Sequence, residues 1–239
     1  MKVLITLQLL AHLLADFNLQ PQRWCTVKET KIVSKELFYH TIIVFVCSFV
    51  LSFNPCFVLA SLIIALSHFG IDILKNCFFK KKWLHRSIFF IDQALHILVI
   101  LAVVHWFYFA KYEFIIPCID HSYNVILLAL MLIASTKPSN IFIKKYMESS
   151  GIMSKDNQPL LKAGRVIGSL ERILSFLLIT INQFTAVGFI IAAKSILRFR
   201  DKDTAKTEYV LIGSLLSFGI AILLGIIYNT LIKNYANYF

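Results

Sequence analysis

The sequence predicts an all-α protein: a polytopic bundle of about seven transmembrane helices, with a short amphipathic helix lying on the cytoplasmic face. Three observations carry that expectation. Hydrophobic residues fill 58 % of the 239 positions and charged residues only 15 %, a balance that leaves too little polarity to cover a soluble domain of this length. Apolar runs approach the roughly 20 residues that a helix needs to cross a bilayer. The lysines and arginines fall mainly between those runs.

The segments follow in order. The first covers residues 2–20 and carries one Lys and no small-x-small cleavage site, so it reads as a retained helix and not as a signal peptide. The second and third, 36–53 and 56–77, are separated by Asn54-Pro55, a tight-turn pair. The fourth runs from 88 to 110 and the fifth, short and thin, from 121 to 135. Residues 136–165 form a polar loop with Pro138, Gly151, Pro159 and Gly164. Within the stretch from Leu160 to Leu174, apolar residues recur at helical spacing between Arg165, Glu171 and Arg172, which fits the interfacial helix. Glu171 with Arg165 or Arg172 reads as a surface ion pair. The sixth and seventh segments cover 172–195 and 209–232. The chain thus divides into a front bundle (1–135), a cytoplasmic loop with its helix (136–171) and a C-terminal helical part (172–239).

Charge sets the orientation. The net charge is +11, and in a bilayer protein such an excess reads as loops facing the cytoplasm and anionic head groups, with no nucleic-acid partner expected. The first loop carries Arg23, Lys28, Lys31 and Lys35, and the third carries Lys80, Lys81, Lys82 and Arg86. The second loop has no basic residue and the fourth only Lys111, which places the N-terminus outside. The sixth loop resists this, because Arg198, Arg200, Lys202 and Lys206 would lie outside. Either 172–195 does not cross fully, or those cations pair with Asp201, Asp203 and Glu208. The five cysteines show no C-x-x-C or zinc-finger spacing; Cys56 and Cys118 could meet on the outer side, but nothing requires it.

Within this apolar frame sits an ordered set of ionisable residues. The first segment places His12 and Asp16 four apart, the third places His68 and Asp72 four apart with Lys75 one turn on, and the fourth places Asp92 and His96 four apart in the reverse order. A spacing of four puts two side chains on one helix face. Since helices one and three run toward the cytoplasm and helix four away from it, all three stripes fall at one depth, about 6–14 Å from the cytoplasmic end at 1.5 Å per residue. His40, near the start of the second segment, joins the same layer. Gln20 and Gln93 flank it, and His105 falls on the opposite face of its helix.

Intramembrane carboxylates and imidazoles are costly and mark functional sites. A divalent metal held by His12, Asp16, His40, His68, Asp72, Asp92 and His96 is the economical way to place this much polarity in a bundle. Carboxylate with imidazole suits Zn or Mn first and Fe behind them. Proton relay or ion conduction, and a purely structural network, remain open at this point. In the first reading Asp16, Asp72 and Asp92 serve as ligands, with one of these carboxylates left free as general base. Lys75 either snorkels to the interface or meets an anionic substrate.

At "HLLADFNLQ", "HFGIDILK" and "DQALH" the chain resembles a family of bacterial membrane proteins designated domain of unknown function 3307. "GRVIGSLERIL" and "EYVLIGSLLSF" look like the C-terminal extension of that family's longer members. The resemblance implies the fold and a membrane location, and it brings no activity with it. From the site itself, the expected function is metal-dependent hydrolysis of a phosphoester or other lipid-linked substrate reached from the cytoplasmic leaflet. A divalent-cation or proton transporter using the same layer is the alternative.

Overall fold

The computed structural model describes residues 1–30, 33–78, 87–110, 123–152, 158–198 and 204–236, and every regular element among them is helical. Lys31, the basic stretch 80–86, Lys111, the loop acids Asp201 and Asp203, and Cys118 lie outside the described residues. Ten α-helices follow in order. They are α1 (Lys2–Leu13), α2 (Gln22–Thr30), α3 (Lys35–Ser52), α4 (Val58–Phe78), α5 (Ile88–Phe109), α6 (Tyr123–Ala134), α7 (Lys137–Ser149), α8 (Gln158–Thr180), α9 (Phe184–Arg198) and α10 (Thr204–Ala236). The chain forms two compact units, residues 1–130 and 131–239.

The first unit is a ring of four helices in which α1 packs on α3, α3 on α4, α4 on α5 and α5 back on α1. Helix α1 is buried on most of its surface, including Leu4, Leu7, Gln8, Ala11 and His12. It ends in one π-helical turn, Leu14–Asn18, closed by a bond from the Leu19 N–H to the Leu14 carbonyl of 2.8 Å. Helix α3 starts on Ser34, whose hydroxyl accepts from the Leu37 N–H at 3.2 Å, and so satisfies one of the orphan donors of the first turn. It stops at Phe53, which adopts a left-handed conformation (φ 50°). Asn54 then accepts from the Cys56 N–H and Pro55 opens the short 3₁₀ turn into α4, the tight connection expected at Asn54-Pro55.

Polarity in this unit is inverted relative to a soluble bundle. Leu59, Leu62 and Leu66 on α4 and Leu95, Leu98 and Leu101 on α5 are exposed, whereas His12, His40, His68, Asp72, Asp92 and His96 are buried. An apolar exterior around a polar interior is compatible with membrane insertion.

The described helices offer four candidate spans, Lys35–Ser52, Pro55–Cys77, Ile88–Phe109 and Val210–Tyr235, or five if the bent pair Tyr123–Ala134 and Lys137–Ser149 counts as one. Seven were expected. The first segment yields a helical stretch of only 17 residues, 12 α-helical and 5 in the π turn. The fifth yields the 12-residue α6. The sixth, 172–195, is not one helix: it is cut between Thr180 and Phe184, where Asn182 takes φ 61°. Apolar composition ran on through that break because two polar residues, Asn182 and Gln183, are too few to interrupt a hydropathy window.

In the second unit α8 packs on α10 and α9, and α7 on α8 and α10. At Gly225 a Cβ would come within 2.5 Å of Ile179, so the glycine permits the close approach of α10 to α8. The stretch expected as an interfacial helix is the first part of the longer α8. Its sides are reversed: Val166, Leu170 and Leu174 are exposed, while Arg172 is 1 % exposed. Arg172 is therefore no surface partner of Glu171, which pairs with Lys194 instead. The guanidinium donates to the Ser135 carbonyl (2.7 Å), the Ser217 hydroxyl (2.8 Å) and the Asn140 amide oxygen (2.5 Å), with the Thr136 carbonyl at 3.4 Å.

Candidate metal centre

The ring brings one histidine from each helix to a common layer: His12 from α1, His40 from α3, His68 from α4 and His96 from α5. Their rings form a continuous cluster, with centroids 4.9 Å apart for His40–His68, 3.9 Å for His68–His96 and 5.5 Å for His12–His96. Three carboxylates, Asp16, Asp72 and Asp92, and the ammonium of Lys75 complete the layer. All seven residues expected as metal ligands, and Lys75, are thus assembled within the first unit.

Asp16 is the hub of one half. Its Oδ1 lies 3.4 Å from His40 Nε2, 3.4 Å from His68 Nε2 and 3.8 Å from His12 Nδ1, while His40 Nε2 and His68 Nε2 are 2.9 Å apart. Ligand atoms on a tetrahedral zinc with bonds of about 2.0–2.1 Å stand about 3.3 Å from one another, so these atoms have nearly the mutual spacing of a coordination shell. The π turn matters here. It widens the helix at Asp16 and takes the carboxylate out of the regular α register, an arrangement that recurs at functional sites.

Gln93 fixes the orientation of this half. Its Oε1 sits 3.2 Å from His12 Nε2, where an amide oxygen accepts from the ring N–H in the tautomer that carries its proton on Nε2. Its amide nitrogen donates to Asp16 Oδ2 at 3.4 Å and to Asp92 Oδ2 at 3.3 Å. Such outer partners typically tune metal affinity by about 10–100-fold. Gln93→Ala is accordingly expected to weaken Zn²⁺ or Mn²⁺ binding by about that factor, read by competition with a chelating dye, while helical content by circular dichroism stays unchanged.

The other half groups Asp72, Asp92 and His96, whose ligand atoms lie within 4.8 Å of one another. Lys75 bridges the two acids, its Nζ 2.8 Å from Asp92 Oδ2 and 4.0 Å from Asp72 Oδ1. The lysine turns inward and does not snorkel away from the layer. Gln20, expected to flank the layer, lies beyond the helix end at Asn18. His105 faces away, exposed, against the Phe109 ring at 4.5 Å.

Deeper along the helices a second polar group adjoins the histidines. Ser48 donates to Gln8 Oε1 at 2.7 Å and lies 3.2 Å from the Ser61 hydroxyl, and Gln8 donates to the Ser48 carbonyl at 3.0 Å. A void large enough for about one water molecule lies between this group and the rings of His12, His68 and His96. In the apolar core of the same ring Leu4, Phe57, Val103, Val104 and Phe107 pack closely, with the Phe57 and Phe107 rings edge to face at 4.8 Å.

The His/Asp stripes were legible as four-residue spacings. The bridging role of Gln93 was not, because a single glutamine beside Asp92 has no pattern to mark it. One signal was available: the four histidines, at 12, 40, 68 and 96, recur every 28 residues.

Fold and site together define a class, an all-helical protein with helices long and apolar enough to cross a membrane and a buried carboxylate–imidazole layer that could hold a metal ion. The family model described as Protein of unknown function (DUF3307) matches residues 4–123, a range that includes every member of the layer, and the chain belongs to that family. No curated protein and no solved structure matches the chain.

Proposed function

We propose that the layer is a divalent-metal centre and that the protein is a metal-dependent hydrolase of a phosphoester or other lipid-linked substrate, reached from the cytoplasmic leaflet of a bacterial inner membrane. The observation that carries the metal is charge. Three carboxylates against one ammonium leave a formal charge of −2 on the described members of the layer when the imidazoles are neutral. One divalent cation cancels that charge, and burial makes an uncancelled one expensive. Asp16, His40, His68 and His12 would hold the ion. Zn²⁺ or Mn²⁺ fits this donor set best, with Fe²⁺ behind them. A bound ion of this kind acidifies a water toward pKa ~7 and polarises the scissile group.

Hydrolysis is favoured over transport by the one-sidedness of the site. Lys75 and Asp16 keep 26 % and 10 % of their side chains exposed, whereas the polar group at Gln8, Ser48 and Ser61 adjoins closely packed aliphatic and aromatic side chains. A transporter of divalent cations or protons is the second reading, and the Gln8–Ser48–Ser61 group, which extends polarity beyond the histidines, is what favours it. Basic side chains such as Arg23 on α2 and Lys35 at the start of α3 would attract anionic head groups.

Elemental analysis of the protein purified in detergent tests the centre. The expected content is close to one equivalent of Zn or Mn per chain; less than about half an equivalent, unchanged by Asp16→Ala, would refute it. The loaded protein is expected to cleave aryl phosphodiesters in mixed micelles. Liposome uptake of Mn²⁺ that depends on Asp16 and Asp92, without such cleavage, would replace the hydrolase with the transporter.

A further inference from the structure

We infer that Lys75 occupies the position of a second cation. Asp72, Asp92 and His96 form a second divalent-metal site that the lysine ammonium fills, so that the protein is held in a one-metal state until Lys75 withdraws. This rests on the reading of the Asp16 half as a metal centre and adds to it the number of ions and what controls that number.

Three features carry it. First, the ligand atoms of Asp72, Asp92 and His96 lie within 4.8 Å of one another, on α4 and α5. Second, His96 is 2 % exposed and neither ring nitrogen has a hydrogen-bond partner; its Nδ1 stands 3.9 Å from Asp92 Oδ1, which has no hydrogen-bond partner either. A buried imidazole and carboxylate oxygen left unbonded are costly unless something takes their lone pairs. Third, the position between the two acids is already held by a cation, with Lys75 Nζ 2.8 Å from Asp92 Oδ2 and 4.0 Å from Asp72 Oδ1. The ammonium supplies one charge there and is paired with Asp92 and Asp72, so the one basic nitrogen of the neutral His96 ring is left for a metal. With about a quarter of its side chain exposed, Lys75 is the layer's most accessible charged member and the one able to swing out.

Charge bookkeeping agrees. With Lys75 in place the layer carries −2 and takes one divalent ion; without it the carboxylates carry −3, which one ion leaves at −1. A second ion accompanied by an anion such as hydroxide then becomes favourable. Two carboxylates and one imidazole form an oxygen-rich donor set, the kind that suits Mn²⁺.

The test is a Mn²⁺ titration of the full-length protein in detergent after chelator stripping, with metal per chain counted by elemental analysis and paramagnetic resonance. Wild type is expected to bind one ion and Lys75→Met two, the pair close enough to broaden each other's signal. Lys75→Arg, which keeps the charge, stays at one, and the second ion disappears again in Lys75→Met/Asp92→Asn. His96→Ala in the otherwise unchanged chain retains the single ion, a result that does not depend on how Lys75→Met folds. One ion in folded Lys75→Met, two in wild type, or none in His96→Ala overturns the inference while leaving the metal centre standing. No ion in wild type with one in Lys75→Met would instead retain the second site and refute the centre at Asp16. No ion in either refutes both.

Discussion

Asp16→Asn is expected to strip the metal from the protein, lowering affinity by more than the ~100-fold typical of an outer partner and leaving little bound ion after dialysis. The reason lies in the position of one atom. Asp16 Oδ1 faces His40 and His68 at 3.4 Å and His12 at 3.8 Å, so this one carboxylate oxygen is within reach of three imidazoles. An amide in its place removes the negative charge and the strongest donor together, and the remaining imidazoles cannot offset the charge of a divalent ion. Asp16→Glu keeps the charge but moves it by a methylene out of the place set by the π turn, and an intermediate affinity is expected. Elemental analysis before and after dialysis, with circular dichroism to show that the helices persist, checks both. Full metal content in Asp16→Asn would move the ion elsewhere in the layer.

Arg172→Ala is expected to cost the second unit about 3–5 kcal/mol, the largest stability loss anticipated for a single change away from the metal centre. Arg172 is 1 % exposed, and its guanidinium serves the carbonyl that follows α6, the Asn140 side chain on α7 and Ser217 on α10. Truncation leaves several buried acceptors and one buried hydroxyl without their donor, each worth about 1–3 kcal/mol, and opens a cavity beside them. Arg172→Lys recovers only part, since one ammonium cannot reach three directions as the planar fork does. Unfolding in mixed micelles with increasing SDS gives the measurement. A change below about 1 kcal/mol would mean that water or relaxation replaces the arginine's bonds.

Much of the site was readable from spacing alone. His12/Asp16, His68/Asp72 and Asp92/His96 each share a helix face because of the 3.6-residue turn, and reversing the pair order with helix direction brings them to one depth. What spacing could not supply was the partner of each group. That Lys75 turns to Asp92 and not to an aqueous interface depends on α4 and α5 lying side by side, a contact between residues 17 apart in sequence. That Arg172 is buried under three helices, and Glu171 meets Lys194 in its place, depends on residues more than 20 positions distant.

The number of spans divides in the same way. Composition identifies Lys35–Ser52, Pro55–Cys77, Ile88–Phe109 and Val210–Tyr235 because nothing within them competes with the apolar run. It fails at Thr180–Phe184, where the chain breaks on the backbone conformation of Asn182, and at Leu14–Asn18, where the helix widens to a π turn without any glycine or proline to announce it. The sequence by itself determined helical class, apolar exterior and the inventory of a carboxylate–imidazole layer, since these follow from local periodicity and residue chemistry. Which carboxylate faces three imidazoles, which one is held by lysine, and which arginine is buried was decided only by the packing of α1, α3, α4 and α5 in one unit and of α7, α8 and α10 in the other, because a charge buried in low dielectric takes its meaning from the nearest opposite group, and that neighbour comes from another helix.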